Sequence, residues 1–237
     1  MKRTLFLLLG LFTLCSLKAQ SLVGAWEAIE TDTAGQKVKH VMIFTEDHYV
    51  STWFDAVTGA FKRTQGGSWK KDEYSLTTVT LEFDSKDSTL VGESIGYLLN
   101  VSESNLTFSS KQGSWTRIDD GTPGALAGAW LMSGRKRDGE IQERDTNRPR
   151  KTMKILSGTR FQWIAYNTET TKFMGTGGGS YTTQDGKYTE NIEFFSRDNS
   201  RVGASLEFNF EVVEGKWHHS GLSSKGAPLY EIWSQRK

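Results

Sequence analysis

An internal repeat is the feature that most constrains the fold of this 237-residue chain. The segment LEFDSKDSTLVGES at residues 81–94 returns without a gap as IEFFSRDNSRVGAS at residues 192–205, and half of its positions are identical. LVGAW at residues 22–26 likewise returns as LAGAW at residues 126–130. Self-similarity at a fixed separation indicates two homologous structural units.

Each unit contains about eight short segments of strand character, separated by turn residues. In the second unit the predicted segments are 126–134, 150–157, 159–167, 172–183, 187–196, 201–213, 216–223 and 228–235. No long segment has helical apolar spacing, and 24 Gly with only 3 Pro suit strands and tight turns. We therefore predict an all-β protein of two tandem antiparallel up-and-down meander β-barrels with about eight strands each, since closure removes exposed sheet edges.

The chain begins like a secretory leader, with Lys2 and Arg3 ahead of the apolar run Leu5–Leu17 and then Ala19. We predict an exported protein, periplasmic or extracellular, with no integral membrane segment after cleavage. The predicted boundaries are a signal peptide at 1–19, a first barrel at 20–118, a linker at 119–125 and a second barrel at 126–237.

A single large outer-membrane barrel is the alternative topology. It is disfavoured by Glu193, Glu207 and Glu211 on outward faces, because charge is costly on a lipid-facing surface. The net charge of +1 gives no general attraction to nucleic acid. Cys15, the one cysteine, lies in the leader, so the mature chain has no thiol chemistry.

Both units begin with a Gly-x-Trp sequence, Gly24–Trp26 and Gly128–Trp130, at the first predicted strand. This arrangement resembles the lipocalin-like proteins of the calycin superfamily, and in particular secreted lipocalin-like proteins of Gram-negative bacteria. The resemblance implies that the Trp closes one end of each barrel and that an Arg of the last strand packs across it. Arg117 and Arg236 are the candidates for that Arg.

Alternation along the strands assigns side chains to the barrel interior. The apolar face of the sixth segment in the second unit predicts that Phe208 points inward. In the fifth segment Ile192 and Phe194 are predicted to point inward, and they carry Tyr188 and Glu190 with them. Glu190 is the anomaly, because a buried carboxylate requires a cation, a hydrogen-bonding network or water.

Comparison of the units shows where their predicted interiors differ. Second-unit residues align with smaller or less polar first-unit residues in four pairs: Glu190 with Val79, Tyr188 with Thr77, Trp217 with Leu106 and His219 with Phe108. Polar groups inside a barrel favour a cavity. We therefore expect a filled first barrel and a pocket in the second.

Two further sequences complete the predicted site. In TRFQWIAYN, the face carrying Trp163 is the better candidate lining, which leaves Arg160 and Tyr166 outside or at a rim; Trp163 and Tyr188 filling a core is the alternative. In KWHHSG, neighbouring residues on a strand point to opposite faces, so His218 and His219 cannot converge on one metal ion. No metal site, cofactor or catalytic residue is assigned.

The main hypothesis is a protein that binds a small apolar or amphipathic molecule in its second barrel. The predicted binding residues are Glu190, His219, Trp163, Tyr188, Phe208 and Trp217. A cell-surface interaction module with two filled barrels is the first alternative. The other is an isomerase or hydrolase that uses Glu190 with His219, although a protein without enzymatic activity is the preferred hypothesis.

Overall fold

A computed structural model describes residues 21–74, 76–223 and 226–236 of the chain. The predicted signal peptide, with Cys15, lies outside the described residues. In the first unit the strands are β1 Gly24–Thr31, β2 Lys37–Phe44, β3 His48–Asp55, β4 Phe61–Lys71, β5 Leu76–Asp84, β6 Ser94–Val101, β7 Asn105–Phe108 and β8 Lys111–Asp119. In the second they are β9 Gly128–Arg137, β10 Glu140–Glu143, β11 Arg150–Leu156, β12 Arg160–Asn167, β13 Lys172–Gln184, β14 Lys187–Phe195, β15 Ser205–Val213, β16 Lys216–Leu222 and β17 Pro228–Gln235.

The strands form two closed eight-stranded antiparallel barrels in tandem, so the predicted fold class is confirmed. Strand β1 pairs with both β2 and β8 to close the first barrel, and β9 pairs with both β11 and β17 to close the second. Strand β10 is an addition that the sequence did not predict. It forms a hairpin with β9, and all four of its residues are exposed, so no alternation marks it.

The repeated segment also forms the same turn in both units. A short 3-10 helix follows β5 at Ser88–Leu90 and follows β14 at Asn199–Arg201. Asp87 and Asp198 cap these helices by accepting the backbone N–H of the residue two positions later. Within the described part of the chain, no helix is long and apolar enough to cross a membrane.

The barrels bury parts of their outer faces against each other and so form a core that belongs to neither interior. Phe54 of β3 stacks on Phe194 of β14 with ring centroids 4.9 Å apart. Phe83 of β5 meets Tyr166 of β12, also at 4.9 Å. These four strands therefore carry buried aromatic rings on their outer faces as well as side chains toward their barrel interiors.

Polar contacts join the barrels around and within this core. The carboxylate of Glu82 accepts hydrogen bonds from Arg236 at 2.6 Å and from the Tyr166 hydroxyl at 2.6 Å. Gln162 accepts a hydrogen bond from the Thr52 hydroxyl at 2.7 Å and donates one to the Thr64 hydroxyl at 2.9 Å. Buried polar groups that satisfy one another in this way fix the relative position of the two barrels.

Phe194 corrects one of the predicted faces. It was expected inside the second barrel, but it lies in the core between the barrels. A β-bulge shifts the register, because Gly179 pairs with Ile192 whereas the preceding Gly178 pairs with Phe194. The extra residue, Glu193, reverses the alternation beyond it.

Glycine is required at this bulge. A Cβ atom on Gly179 would lie 2.0 Å from the carbonyl oxygen of Asn191, and one on Gly67 of the first barrel would lie 2.0 Å from the carbonyl oxygen of Thr80. The glycine-rich segment therefore allows neighbouring strand backbones to approach closely.

The two candidate arginines behave differently. The Arg117 guanidinium lies 4.0 Å from the centroid of the Trp26 ring, as the lipocalin resemblance implies. The same expectation for Arg236 is wrong. Gln235 stands opposite Trp130 where Arg117 stands opposite Trp26, so Arg236 is one position too late and points outward to Glu82.

Asp119, the last residue of β8, bonds to the second barrel. The carboxylate of Asp119 accepts hydrogen bonds from the Ser157 hydroxyl at 2.8 Å and from the backbone N–H groups of Gly158 and Thr159 at 3.1 and 3.0 Å. This residue joins the end of β8 to the turn between β11 and β12.

Candidate functional site in the barrel interiors

Glu190 lies inside the second barrel, as predicted, and it has two partners. The Lys154 ammonium group donates to Glu190 Oε1 at 2.8 Å, and the Tyr188 hydroxyl donates to the same atom at 2.9 Å. The side chains of Lys154 and Glu190 are only 6% and 7% exposed. The lysine provides the cation that a buried carboxylate requires.

Aromatic rings surround the Lys154 ammonium group. Its Nζ lies 4.9 Å from the ring centroids of both Tyr188 and Trp217 and 5.3 Å from that of Trp233. Such contacts stabilise a desolvated cation through the electron-rich faces of the rings. They also anchor the lysine, so its position is defined by the barrel wall rather than by solvent.

His219 has a different acidic partner from the one that the sequence suggested. Its Nδ1 lies 3.2 Å from Glu231 Oε2, whereas Glu190 is bonded to Lys154 and Tyr188. Burial, followed by the positive charge of Lys154, lowers the pKa of His219. The ring is therefore neutral near pH 7, with Nδ1–H donating to the carboxylate and Nε2 unprotonated.

Burial raises the pKa of Glu231, but the hydrogen bond from His219 and the charge of Lys154 outweigh it, so the pKa is lowered overall. Glu231 is therefore ionised. The Nε2 atom of His219 is buried and has no hydrogen-bond partner among the described residues, and the same is true of Trp217 Nε1. Unpaired buried polar atoms of this kind are uncommon and require an explanation.

The second barrel contains a cavity of about 240 Å³. Its wall combines charged and polar side chains with apolar ones: Met132, Thr152, Lys154, Trp163, Glu190, Ile192, Phe195, Leu206, Phe208, His219, Ser223, Leu229, Glu231 and Trp233. Among the predicted residues, the wall contains Glu190, His219, Trp163 and Phe208. Tyr188 and Trp217 lie behind the wall, packed on Phe208 and His219.

Sequence reasoning missed Lys154 and Glu231. Met153 and Ile155 flank Lys154, and they suggest the inward face of β11, although they belong to the core between the barrels. The available signal was the repeat itself, because Lys154 stands opposite Trp130 just as Met42 stands opposite Trp26.

The first barrel is not filled, contrary to the expectation. It contains a cavity of about 240 Å³, the same volume as the second. At the positions equivalent to the polar groups of the second barrel, the first barrel has Met42 in place of Lys154, Val79 in place of Glu190 and Phe108 in place of His219. Gly113 lies two residues before Trp115, as Glu231 lies two before Trp233.

The polar groups of the first cavity bond to one another. His40 Nε2 lies 2.6 Å from Ser51 Oγ, and His40 Nδ1 lies 3.0 Å from Trp115 Nε1 and 3.2 Å from Glu30 Oε1. The indole can donate to Nδ1 only when Nδ1 carries no proton, and the carboxylate can accept from it only when it does. In either state both ring nitrogens of His40 are occupied by protein groups.

A family model described as "Domain of unknown function (DUF4488)" matches residues 125–236, which include every strand of the second barrel. No curated protein matches the chain. The second barrel is thus similar to a family without an assigned activity, and the two cavities provide the basis for a functional proposal.

Proposed function

We propose that the chain binds a small amphipathic molecule in the second barrel, through a hydrogen-bond donor on the ligand. The observation that carries this proposal is the buried, unpaired Nε2 atom of His219, a residue that belongs to the cavity wall. Because Glu231 accepts from Nδ1, Nε2 presents a lone pair, and a ligand hydroxyl or amine would complete its hydrogen bonding.

The charges of the wall narrow the ligand class. One cation, Lys154, is accompanied by the carboxylates of Glu190 and Glu231. The excess negative charge favours a neutral or cationic head group and disfavours a carboxylate, because repulsion is strong where water is largely excluded. Trp163, Phe195 and Phe208 offer apolar surface to the rest of the ligand.

Three probes with one skeleton test this proposal: phenethyl alcohol, phenethylamine and phenylacetate. The alcohol and the amine are expected to raise the melting temperature of the protein, whereas phenylacetate is not. His219→Phe, which copies Phe108 of the first barrel, should abolish the shift. The control is His218→Phe on the outer face, where the ring bonds to the Tyr230 hydroxyl.

Stabilisation by phenylacetate alone, or equal shifts in wild type and His219→Phe, would contradict the proposal.

Export and a periplasmic or extracellular location remain predictions from the leader sequence. The alternative of an interaction module assumed filled barrels and loses its premise, since both barrels contain cavities.

A second candidate function is proton-transfer catalysis. It is favoured by one observation, namely that Glu231 holds Nδ1 of His219, a residue of the cavity wall, and leaves Nε2 unprotonated and without a partner. This is the arrangement of a general base with its orienting carboxylate. In this version Glu231 replaces Glu190 as the partner, and Glu231→Gln should reduce turnover and change its pH profile, whereas simple binding predicts no turnover to lose.

A further inference from the structure

We infer that the cavity of the first barrel is a second and separate binding site, for a small, flat, uncharged apolar molecule. The inference goes beyond the proposed function, because it concerns a different barrel and a different class of ligand. It depends on three properties of the cavity, which are its lining, its hydrogen bonding and its opening.

The lining is mainly aromatic, and its one basic side chain is the hydrogen-bonded His40. Six rings contribute to it, from Phe44, Tyr49, Trp53, Tyr97, Phe108 and Trp115. No Asp, Glu, Lys or Arg belongs to the wall within the described part of the chain. A flat ring system suits such a wall, because aromatic faces and edges pack well against one another.

The buried polar atoms of this wall bond within the protein. His40 is bonded at both ring nitrogens, and the Gln65 amide lies 3.4 Å from the Tyr49 hydroxyl. Across the residues that the structure describes, no buried side-chain nitrogen or oxygen of this wall lacks a partner. The first cavity therefore has no buried atom that needs a polar ligand group, whereas in the second barrel the buried His219 Nε2 has no partner.

The third property is that the cavity reaches the surface. Ser110, in the turn between β7 and β8, is exposed and belongs to the wall, and Tyr97 and Leu99 of β6 are partly exposed. Protein cores are packed with few voids larger than a water molecule. An apolar space of this size with a route of entry is suited to an apolar guest, since such cavities bind apolar molecules readily.

Naphthalene is a suitable probe, because it is flat, uncharged and without hydrogen-bonding groups. Binding to the full protein is measured by ligand-observed NMR titration. Leu99→Trp places a large ring in the first cavity and is expected to weaken binding roughly tenfold or more. Leu206→Trp does the same in the second cavity, on the corresponding strand β15, and should leave the affinity unchanged.

Ser110→Trp closes the mouth from an exposed turn and provides a second variant in case Leu99→Trp folds poorly. Circular dichroism establishes which variants are folded. Loss of binding in a folded first-barrel variant, with binding retained in Leu206→Trp, supports the inference. No binding by the wild type, or loss only in Leu206→Trp, would overturn it. Neither result affects the phenethyl experiment, which reports on His219.

Discussion

The two barrels have the same eight-stranded closure, a buried tryptophan at the same place on the first strand and cavities of the same volume, yet their interiors differ chemically. In the first, Met42, Val79 and Phe108 surround a hydrogen-bonded His40. In the second, the positions of those three residues carry charged or titratable groups. The comparison teaches that a duplicated barrel can keep its shape while the wall of one copy changes the kind of ligand it accepts.

The largest expected effect tests whether the two halves contribute equally to the core between them. Phe83→Ala and Phe194→Ala each remove a buried ring from equivalent positions, 1% and 3% exposed, and each should cost about 4 kcal/mol of unfolding free energy. Chemical denaturation measures both. Leu98→Ala, at an exposed position, is the control. A large loss of unfolding free energy in only one of the two variants would show that the equivalent positions do not contribute equally to stability.

The next effect concerns the charges of the second interior. Lys154→Met copies Met42 and leaves Glu190 without its cation, which should cost about 3 kcal/mol. Adding Glu190→Val, to copy Val79, should restore most of the loss. Denaturation of the single and double variants measures this coupling. A double variant that is less stable than Lys154→Met would contradict the pairing.

A smaller effect concerns the ends of the barrels. Arg117→Gln copies Gln235 and removes the guanidinium from the face of Trp26, where it lies 4.0 Å from the ring centroid. The expected loss is about 1 kcal/mol, because the contact is partly exposed. Thermal unfolding measures it. An unchanged melting temperature would mean that the first barrel closes equally well without this contact.

The last comparison is of a pH dependence, to which each half contributes one histidine and which appears as a change of slope. Burial, followed by the charge of Arg236, lowers the pKa of His48 to about 4, and the pKa of His219 is also lowered. Both rings are neutral in the folded state and bind protons more readily when unfolded. Their contribution to stability is thus complete above pH 6.5 and is lost as the pH falls below it.

His48→Gln and His219→Phe should each make the decline between pH 6.5 and 4 shallower, by at most about 1.4 kcal/mol per pH unit. Denaturation at a series of pH values measures these slopes. His218→Phe is the control. A slope that none of the variants changes would assign the decline to carboxylates instead.

Much of the fold could be predicted because the repeat and the strand alternation are local properties of the sequence. The inward positions of Glu190 and His219 follow from period-two alternation alone. Phe194 could not be placed in this way, since the bulge beside Gly179 reverses the alternation, and the glycine that permits the bulge lies on the neighbouring strand β13 rather than beside Phe194 in the sequence. Lys154 was missed because its apolar neighbours Met153 and Ile155 suggest a barrel interior, although they are buried in the core between the barrels.

The contacts in the core between the barrels are reciprocal. Phe54 of the first barrel contacts Phe194 of the second. Tyr166 is the second-barrel equivalent of Phe54, and Phe83 is the first-barrel equivalent of Phe194, and these two residues also contact each other. Such reciprocal contacts are those of two identical chains related by a twofold axis. The two halves of this chain therefore meet as two copies of one barrel would meet in a homodimer, although their interiors differ.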